Sequence, residues 1–372
     1  QFATTSAIEL GTAVAKSAIQ KAKLSPEQID TVIFGNVLQA GLGQNPARQV
    51  GLKAGLLHSS TALTVNEVCG SGLKAIILAA QSLRLGDAKI VLAGGMENMS
   101  LAPHLLQQRF APKNGPVTLV DSLFNDGLTD AYSMDAMGIT AENIVEKYGF
   151  AREELDSFAV ASQQKAAKAQ EEGRFAKEIT PVNRKTKSED FKDSDEFIRA
   201  NTTLESLSGL KPAFKKDGVV TAGNSSGIND GAACVIMTTR EYAKELNLPI
   251  LATLKGYAEA GVDPAIMGIG PVPAIEKLVA RTRIPLEKVD IFELNEAFAA
   301  QSMAVIKDLK IPTEKVNPFG GAIALGHPIG ASGTRIVVTL INALNQLDGK
   351  LGVASLCVGG GMGVAIAIER EK

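Results

Sequence analysis

The sequence predicts an α/β protein built from two similar halves, the first carrying an irregular excursion. Three observations lead there. A strand, a cysteine-bearing turn and an apolar helix follow one another from Ala62, and the same order returns from Val289. Between them, at about residues 100–220, the texture changes to scattered prolines and mixed charge. We place the first half at residues 1–245, excursion included, and the second at 246–372. A chain of 372 residues suits two units of ordinary size better than one core.

Ser25-Pro26-Glu27-Gln28 combines a hydroxyl cap, a first-turn proline and a glutamine at capping-box spacing, just ahead of the β-rich Thr31-Val32-Ile33-Phe34. From Ala62 a short strand (Leu63, Val65) leads to the turn Cys69-Gly70-Ser71-Gly72. A helix follows with Leu73, Ile76, Ile77, Ala80 and Leu83 on one face, the spacing of a buried stripe. Ile90-Val91-Leu92-Ala93, bounded by Gly94-Gly95, predicts a buried parallel strand. In the second half, Val289 to Leu294 predicts a strand with Asn295-Glu296-Ala297-Phe298 at its end. Val316 leads into the glycine-rich Gly320 to Gly333, and a helix carries Ile336, Val337, Leu340, Ile341 and Leu344. Val353 to Cys357 then ends at Gly359-Gly360-Gly361, answering the strand that stops at Gly94-Gly95. Such a repeat of order implies two βαβ sheets packed about a pseudo-twofold axis. The excursion is expected to add no third core: Glu153 to Gln170 predicts an amphipathic helix, and the charge run after Lys185 a solvated loop.

Composition excludes several classes. Hydrophobic residues make up 45%, charged residues 21%, and the net charge is −2, so no basic field exists for a polyanion and nucleic acid is not an expected partner. Apolar stretches look too short or too interrupted to span a bilayer. The three cysteines, at 69, 234 and 357, form no C-x-x-C pair, which argues against a disulfide framework or a structural zinc and suits a reducing cytoplasm. The chain opens at Gln1 without a charged-then-apolar leader, and no signal peptide is expected.

Cys69 follows a strand and precedes a helix, a geometry that presents a nucleophile on a tight turn. Exposed N–H groups at a helix start favour the thiolate. A lone cysteine there is more often a structural thiol, but the adjoining glycines let a substrate approach the backbone. His327, within Gly326-His327-Pro328-Ile329-Gly330, lies in a stretch poor in charge, where a packed imidazole could take the proton of Cys69 and later donate to a thioester oxygen. A loop histidine is otherwise usually a surface residue. Cys357 sits beside the exposed N–H groups of a glycine run, which could form an oxyanion hole, and a shared pocket at the ends of both sheets would bring all three together. Cys234, in Gly231-Ala232-Ala233-Cys234-Val235-Ile236, reads as a small core residue.

Four blocks, Val65-Asn66-Glu67-Val68-Cys69-Gly70-Ser71-Gly72, Asn295-Glu296-Ala297-Phe298, Gly326-His327-Pro328-Ile329-Gly330 and Cys357-Val358-Gly359-Gly360-Gly361, resemble the signatures of the thiolase family, in family order over nearly the whole chain. The resemblance implies a five-layered α-β-α-β-α fold and a reversible Claisen condensation of two acetyl-CoA to acetoacetyl-CoA. Cys69 would be acylated, His327 would activate it, and Cys357 would take the α-proton. Asn295 would hold a water that binds the enolate oxygen with His327, and the N–H groups of Cys69 and Gly359 would stabilise the tetrahedral intermediate. By the same resemblance Ser226 would touch the pantetheine arm and Arg199 the nucleotide. Leu128, Met137, Ala297 and Phe298 would line the acyl and pantetheine tunnel. No cofactor or metal is implied, since coenzyme A is substrate and product. The family suggests a dimer across the N-terminal sheets, tied into a tetramer through residues 100–124.

Short-chain members commonly carry histidine where this chain has Ala136, and the family's opening strand and Arg-Thr-Pro segment have no counterpart before Gln1, so an incomplete copy of the working chain is expected. The alternatives are a degradative 3-ketoacyl-CoA thiolase of broader chain length and a noncatalytic acyl-CoA-binding protein on the same fold. A β-ketoacyl synthase would need a second histidine where Cys357 stands.

Overall fold

A computed structural model describes residues 1–110, 114–184 and 190–371. Helix α1 (Ala7–Lys21) is started by a full capping box between Ser6 and Glu9. Strand β1 (Thr31–Gly35), helix α2 (Pro46–Lys53), strand β2 (Thr61–Val65), helix α3 (Ser71–Leu85) and strand β3 (Ile90–Asn98) follow. The capping-box sequence at Ser25 makes only one 3₁₀ turn, Pro26–Gln28, before the chain enters β1. The excursion contains α4 (Met137–Tyr148) and α5 (Arg152–Glu171). Strand β4 (Asp230–Thr238) closes the first half. The second half runs β5 (Ala252–Gly261), α6 (Pro271–Thr282), β6 (Ile291–Leu294), α7 (Ala299–Leu309), α8 (Ile329–Gln346), β7 (Leu351–Val358) and β8 (Met362–Arg370).

Two mixed sheets form, in orders β2-β1-β3-β4 and β6-β7-β8-β5. In the first, β1 runs parallel to β2 and β3 while β4 is antiparallel to β3. In the second, β6 and β7 are parallel and β8 is antiparallel to both β7 and β5. Helices α3 and α8 fill the space between the sheets: Leu73, Ile76, Ile77, Leu83, Ile336, Val337, Leu340 and Leu344 share one apolar cluster with Val91, Ala354 and Leu356. Helices α1 and α2 cover the outer face of the first sheet, and α6 and α7 that of the second, which makes five layers. Residues 68–85 are, against expectation, long and apolar enough to cross a membrane by length and composition, but they are α3 and its preceding turn, largely buried in the central layer.

The duplication is visible in atomic contacts. Asp30 accepts the N–H groups of Lys89 and Ile90, and Asp290 accepts those of Lys350 and Leu351, so both β1–β3 and β6–β7 are stapled by the same device. At the helix crossing, Gly72 lies against the backbone of Thr334 and Gly333 against that of Leu73. A β-carbon on either glycine would stand 2.8 Å and 2.2 Å from those nitrogens. The equivalent residues of the two halves are 261 positions apart (72 and 333, 73 and 334), as are the stapled residues 89 and 350, and 90 and 351.

Three sequence expectations change. Strand β3 does not stop at Gly94-Gly95 but runs through them to Asn98, paired with β4 as far as Asp230, and a β-carbon on Gly95 would stand 2.2 Å from the carbonyl oxygen of Gly330. The glycines admit the start of α8 rather than ending a strand. The excursion does join a core: Ala141, Ile144 and Val145 of α4 and Leu155 and Ala159 of α5 pack with Ala297, Phe298 and Cys357. The predicted α5 agrees within a residue at each end, whereas residues 185–189 of the charge run lie outside the described residues. Cys234 is only half buried. It lies on β4, whose outer edge pairs with no strand among the described residues and borders a cavity of about 1220 Å³; in the second half β5 covers the corresponding edge of β8.

Candidate active site

Cys69 sits in the turn between β2 and α3. Ser71 ties that turn, accepting the N–H of Glu67 (2.8 Å) and donating to the carbonyl of Val68 (2.7 Å), while the Val68 N–H donates to Asn66 Oδ1 (3.0 Å). Val68 has φ +48°, a left-handed conformation that costs a β-branched residue and marks a turn fixed by its surroundings. Its side chain packs against Gly359, and Val358 packs against Gly70, so the turn is gripped from the other half. Cys69 itself is 9% exposed.

Burial pushes the Cys69 thiol from about 9 up to about 11, although the N–H groups of Gly359 and of Cys69 face the sulfur and pull the other way. The helix start therefore does not produce a resting thiolate, as the sequence reading had it. The loss of hydration outweighs the backbone donors, making the thiolate costlier by on the order of 3 kcal/mol. Activation must come from a base.

His327, the base expected from the sequence, is buried and neutral. Its N–H donates to Asn229 Oδ1 (3.1 Å). Its Nδ1 lies 2.6 Å from Ser332 Oγ, and that hydroxyl already donates to the carbonyl of Pro328 (2.9 Å). Nδ1 must then carry the proton and Nε2 the lone pair. Asn295 agrees, since its Nδ2 donor faces Nε2 at 3.4 Å. Burial, reinforced by the Arg335 guanidinium, lowers His327 to about 3, so the ring is neutral. Asn295 is itself buried, its N–H donating to Ser355, and its Oδ1 has no protein partner.

Cys357 lies one residue before the end of β7, fully buried and ahead of a turn in which Gly360 and Gly361 have φ +84° and +85°. Burial drives its thiol far above the usual range, and the Cys69 sulfur adds to the effect, so the two cysteines lie within electrostatic reach of each other. The predicted lining divides between them. Leu128 packs in the cluster of Cys69, with Val37, Leu38 and Ile329. Met137, Ala297 and Phe298 pack in that of Cys357, and the Met137 sulfur would stand 3.7 Å from a β-carbon on Gly359, whose N–H faces the Cys69 sulfur.

Ser226 approaches the same corner, its N–H donating to the carbonyl of Ala297 (3.0 Å). Arg199 does not join the cluster. It is exposed and stacks on Phe197 at 5.5 Å, and Phe197 in turn presses on Gly227 beside Ser226, which puts the arginine on the outer rim of that loop. Among the described residues no group of three or more acidic, histidine or cysteine side chains could hold a metal. Ser332 and Glu97 escaped the sequence reading. Ser332 could have been found five residues beyond His327, at the first turn of a predicted helix, and Glu97 as a charge inside an apolar strand.

Family models agree with this geometry. One described as "Thiolase, N-terminal domain" matches residues 1–241, and one described as "Thiolase, C-terminal domain" matches residues 248–370. The chain is 55% identical to an acetyl-CoA acetyltransferase of Cupriavidus necator, over 98% of this chain and 93% of the relative. It is 54% identical to a probable acetyl-CoA acyltransferase of Staphylococcus aureus, over 100% and 95%. Among solved structures it resembles the acetyl-CoA acetyltransferase of Bacillus anthracis (TM-score 0.96, 44% identity, 100% of this chain and 94% of that one). It also resembles human mitochondrial 3-ketoacyl-CoA thiolase (TM-score 0.97, 43% identity, 100% and 94%).

Proposed function

The chain belongs to the thiolase family of acyltransferases, and from that premise we propose that it condenses two acetyl-CoA to acetoacetyl-CoA and coenzyme A through an acetyl-Cys69 intermediate. The observation that supports this reading is a pair of buried thiols within electrostatic reach of each other, together with a buried neutral imidazole held at Nδ1 by Ser332 and facing Asn295 with Nε2.

The protons balance. Nε2 of His327 takes the Cys69 proton as sulfur attacks the acetyl carbon, and the N–H groups of Cys69 and Gly359 receive the developing oxyanion. The departing coenzyme A sulfur takes the proton of Cys357. This leaves an imidazolium and a Cys357 thiolate beside an uncharged thioester, which removes the charge on Cys69 that opposes ionisation of Cys357. The thiolate takes an α-proton from the second acetyl-CoA, and His327 and the Asn295 group face the enolate oxygen. The enolate carbon attacks acetyl-Cys69, the Cys69 thiolate leaves, and His327 returns its proton. Enolate formation so close to a hydrolysable thioester requires a dry pocket, and the burial of all four side chains provides one.

Coenzyme A acts as substrate and product with no further cofactor. Ser226 holds the pantetheine arm, Leu128, Met137, Ala297 and Phe298 bound the acyl end, and Arg199 at the rim meets the nucleotide. A second reading, thiolysis of longer 3-ketoacyl chains, is favoured by the likeness to the human thiolase and by Ala136, which puts a methyl group where short-chain members commonly have an imidazole. Mass spectrometry after mixing with acetyl-CoA tests the chemistry: an acetyl adduct on Cys69 is expected, and its absence removes the covalent route. Rates of thiolysis on acetoacetyl- and 3-ketohexadecanoyl-CoA separate the two readings, with comparable rates overturning the short-chain one.

A further inference from the structure

We propose that Glu97 is a positioning residue that fixes the Cys69 wall and the His327 loop relative to each other, an inference that rests on the acyl-transfer reading above. Glu97 is a carboxylate inside β3 with no exposed surface, and every hydrogen bond to it comes from one of those two segments. Oε1 accepts Asn36 Nδ2 (2.8 Å) and the N–H of Leu38 (3.1 Å). Oε2 accepts the N–H of Val37 (3.0 Å) and, from the other half of the molecule, the N–H of Gly330 (2.9 Å). Val37 and Leu38 pack directly on Cys69, together with Ile329. Gly330 is in the first turn of α8, three residues beyond His327, and no side chain caps that helix from its own N-cap residue, Pro328. A carboxylate at this end of α8 also matches the helix dipole.

The surroundings leave no substitute for this clamp. A β-carbon on Gly330 would stand 2.7 Å from Glu97 Oε2, and one on Gly35 would stand 2.5 Å from the carbonyl oxygen of Gly330. Backbone meets backbone here, with one side chain reaching across. Only donors surround the carboxylate, so its ionised form accepts four bonds, whereas a protonated oxygen must turn a donor on a donor. Burial nevertheless pushes Glu97 up to about 7. Its charge in turn reaches the Cys69 thiol and adds slightly to the rise that burial causes there. Glu178 and Glu293, also raised to about 7 and 8, interact with Arg335 instead.

The test follows acetylation of Cys69 by intact mass over time between pH 6 and 9, with Tm measured alongside. In the wild type the rate is expected to fall below about pH 7, as the clamp protonates. Glu97→Gln keeps the shape but aims an amide N–H₂ at two N–H donors. Acetylation is expected to slow at least tenfold and lose the acid limb while Tm shifts by a few degrees only. Asn36→Ala removes one donor, so the limb should move to higher pH in a protein that still folds, and this variant decides the matter if the first does not fold. An unchanged rate and limb in Glu97→Gln, or an unmoved limb in Asn36→Ala, overturns the proposal. No adduct in the wild type at any pH overturns the acyl-transfer reading instead.

Discussion

The crossing of α3 and α8 presents one backbone arrangement twice and puts different residues on it. Three residues before Gly72 stands Cys69, whose sulfur faces the N–H of Gly359. Three before Gly333 stands Gly330, whose own N–H meets the Glu97 carboxylate. At 261 positions' distance, Cys69 corresponds to Gly330 and Glu97 to Val358. One copy presents a nucleophile to a glycine turn of the opposite half, and the other is a buttress that closes on an acid. Duplication supplies two helix starts aimed across the same seam, and only one of them carries a nucleophilic residue type.

The largest expected effect comes from the reactive copy. Cys69→Ala removes the proposed acyl carrier and is expected to lower kcat by about a thousandfold or more, with no adduct by mass spectrometry. Residual turnover within tenfold of wild type would mean that Cys357 can carry the acyl group, and the division between the copies would be wrong. Next is Ser332→Ala, which leaves the histidine in place but releases its tautomer. A drop in kcat of about tenfold to a hundredfold with little change in KM is expected from a general base that is only partly misoriented. The resting state gives a smaller and sharper signal. Because burial holds Cys69 up to about 11 and His327 down to about 3, alkylation by iodoacetamide should be slow at pH 7 and rise steadily up to about pH 11. A plateau already reached near pH 7 would indicate a preformed thiolate.

His327 also links to stability. Its folded value lies below the unfolded one of about 6.5, so the unfolded chain binds the extra proton and stability is lost as pH falls from about 6.5 toward 3.

Much of this was legible in the sequence wherever period and punctuation coincided. The apolar faces of α3 and α8, the strand before Asn295 and the turn after Cys357 all stand where spacing put them. Three things were not legible, each because it depends on a partner far along the chain. Gly94-Gly95 looks like a strand end until the carbonyl of Gly330 is seen lying against it. The excursion looks coreless because Ile144 and Leu155 find their apolar partners at Phe298 and Cys357. The thiolate expected at a helix start fails because burial, which sequence does not report, outweighs the backbone donors. Glu97 belongs with these: a charge within Val91 to Asn98 signals only that something must satisfy it, and its donors come from residues 36–38 and 330.

The central claim is that the two sulfurs divide acyl storage from proton abstraction, and Cys357→Ala tests it most directly. Mixed with acetyl-CoA in deuterated buffer, the variant should still show an acetyl group on Cys69, while exchange of the α-protons of acetyl-CoA falls to background. Exchange at the wild-type rate in the acetylated variant would contradict the account and assign the base elsewhere.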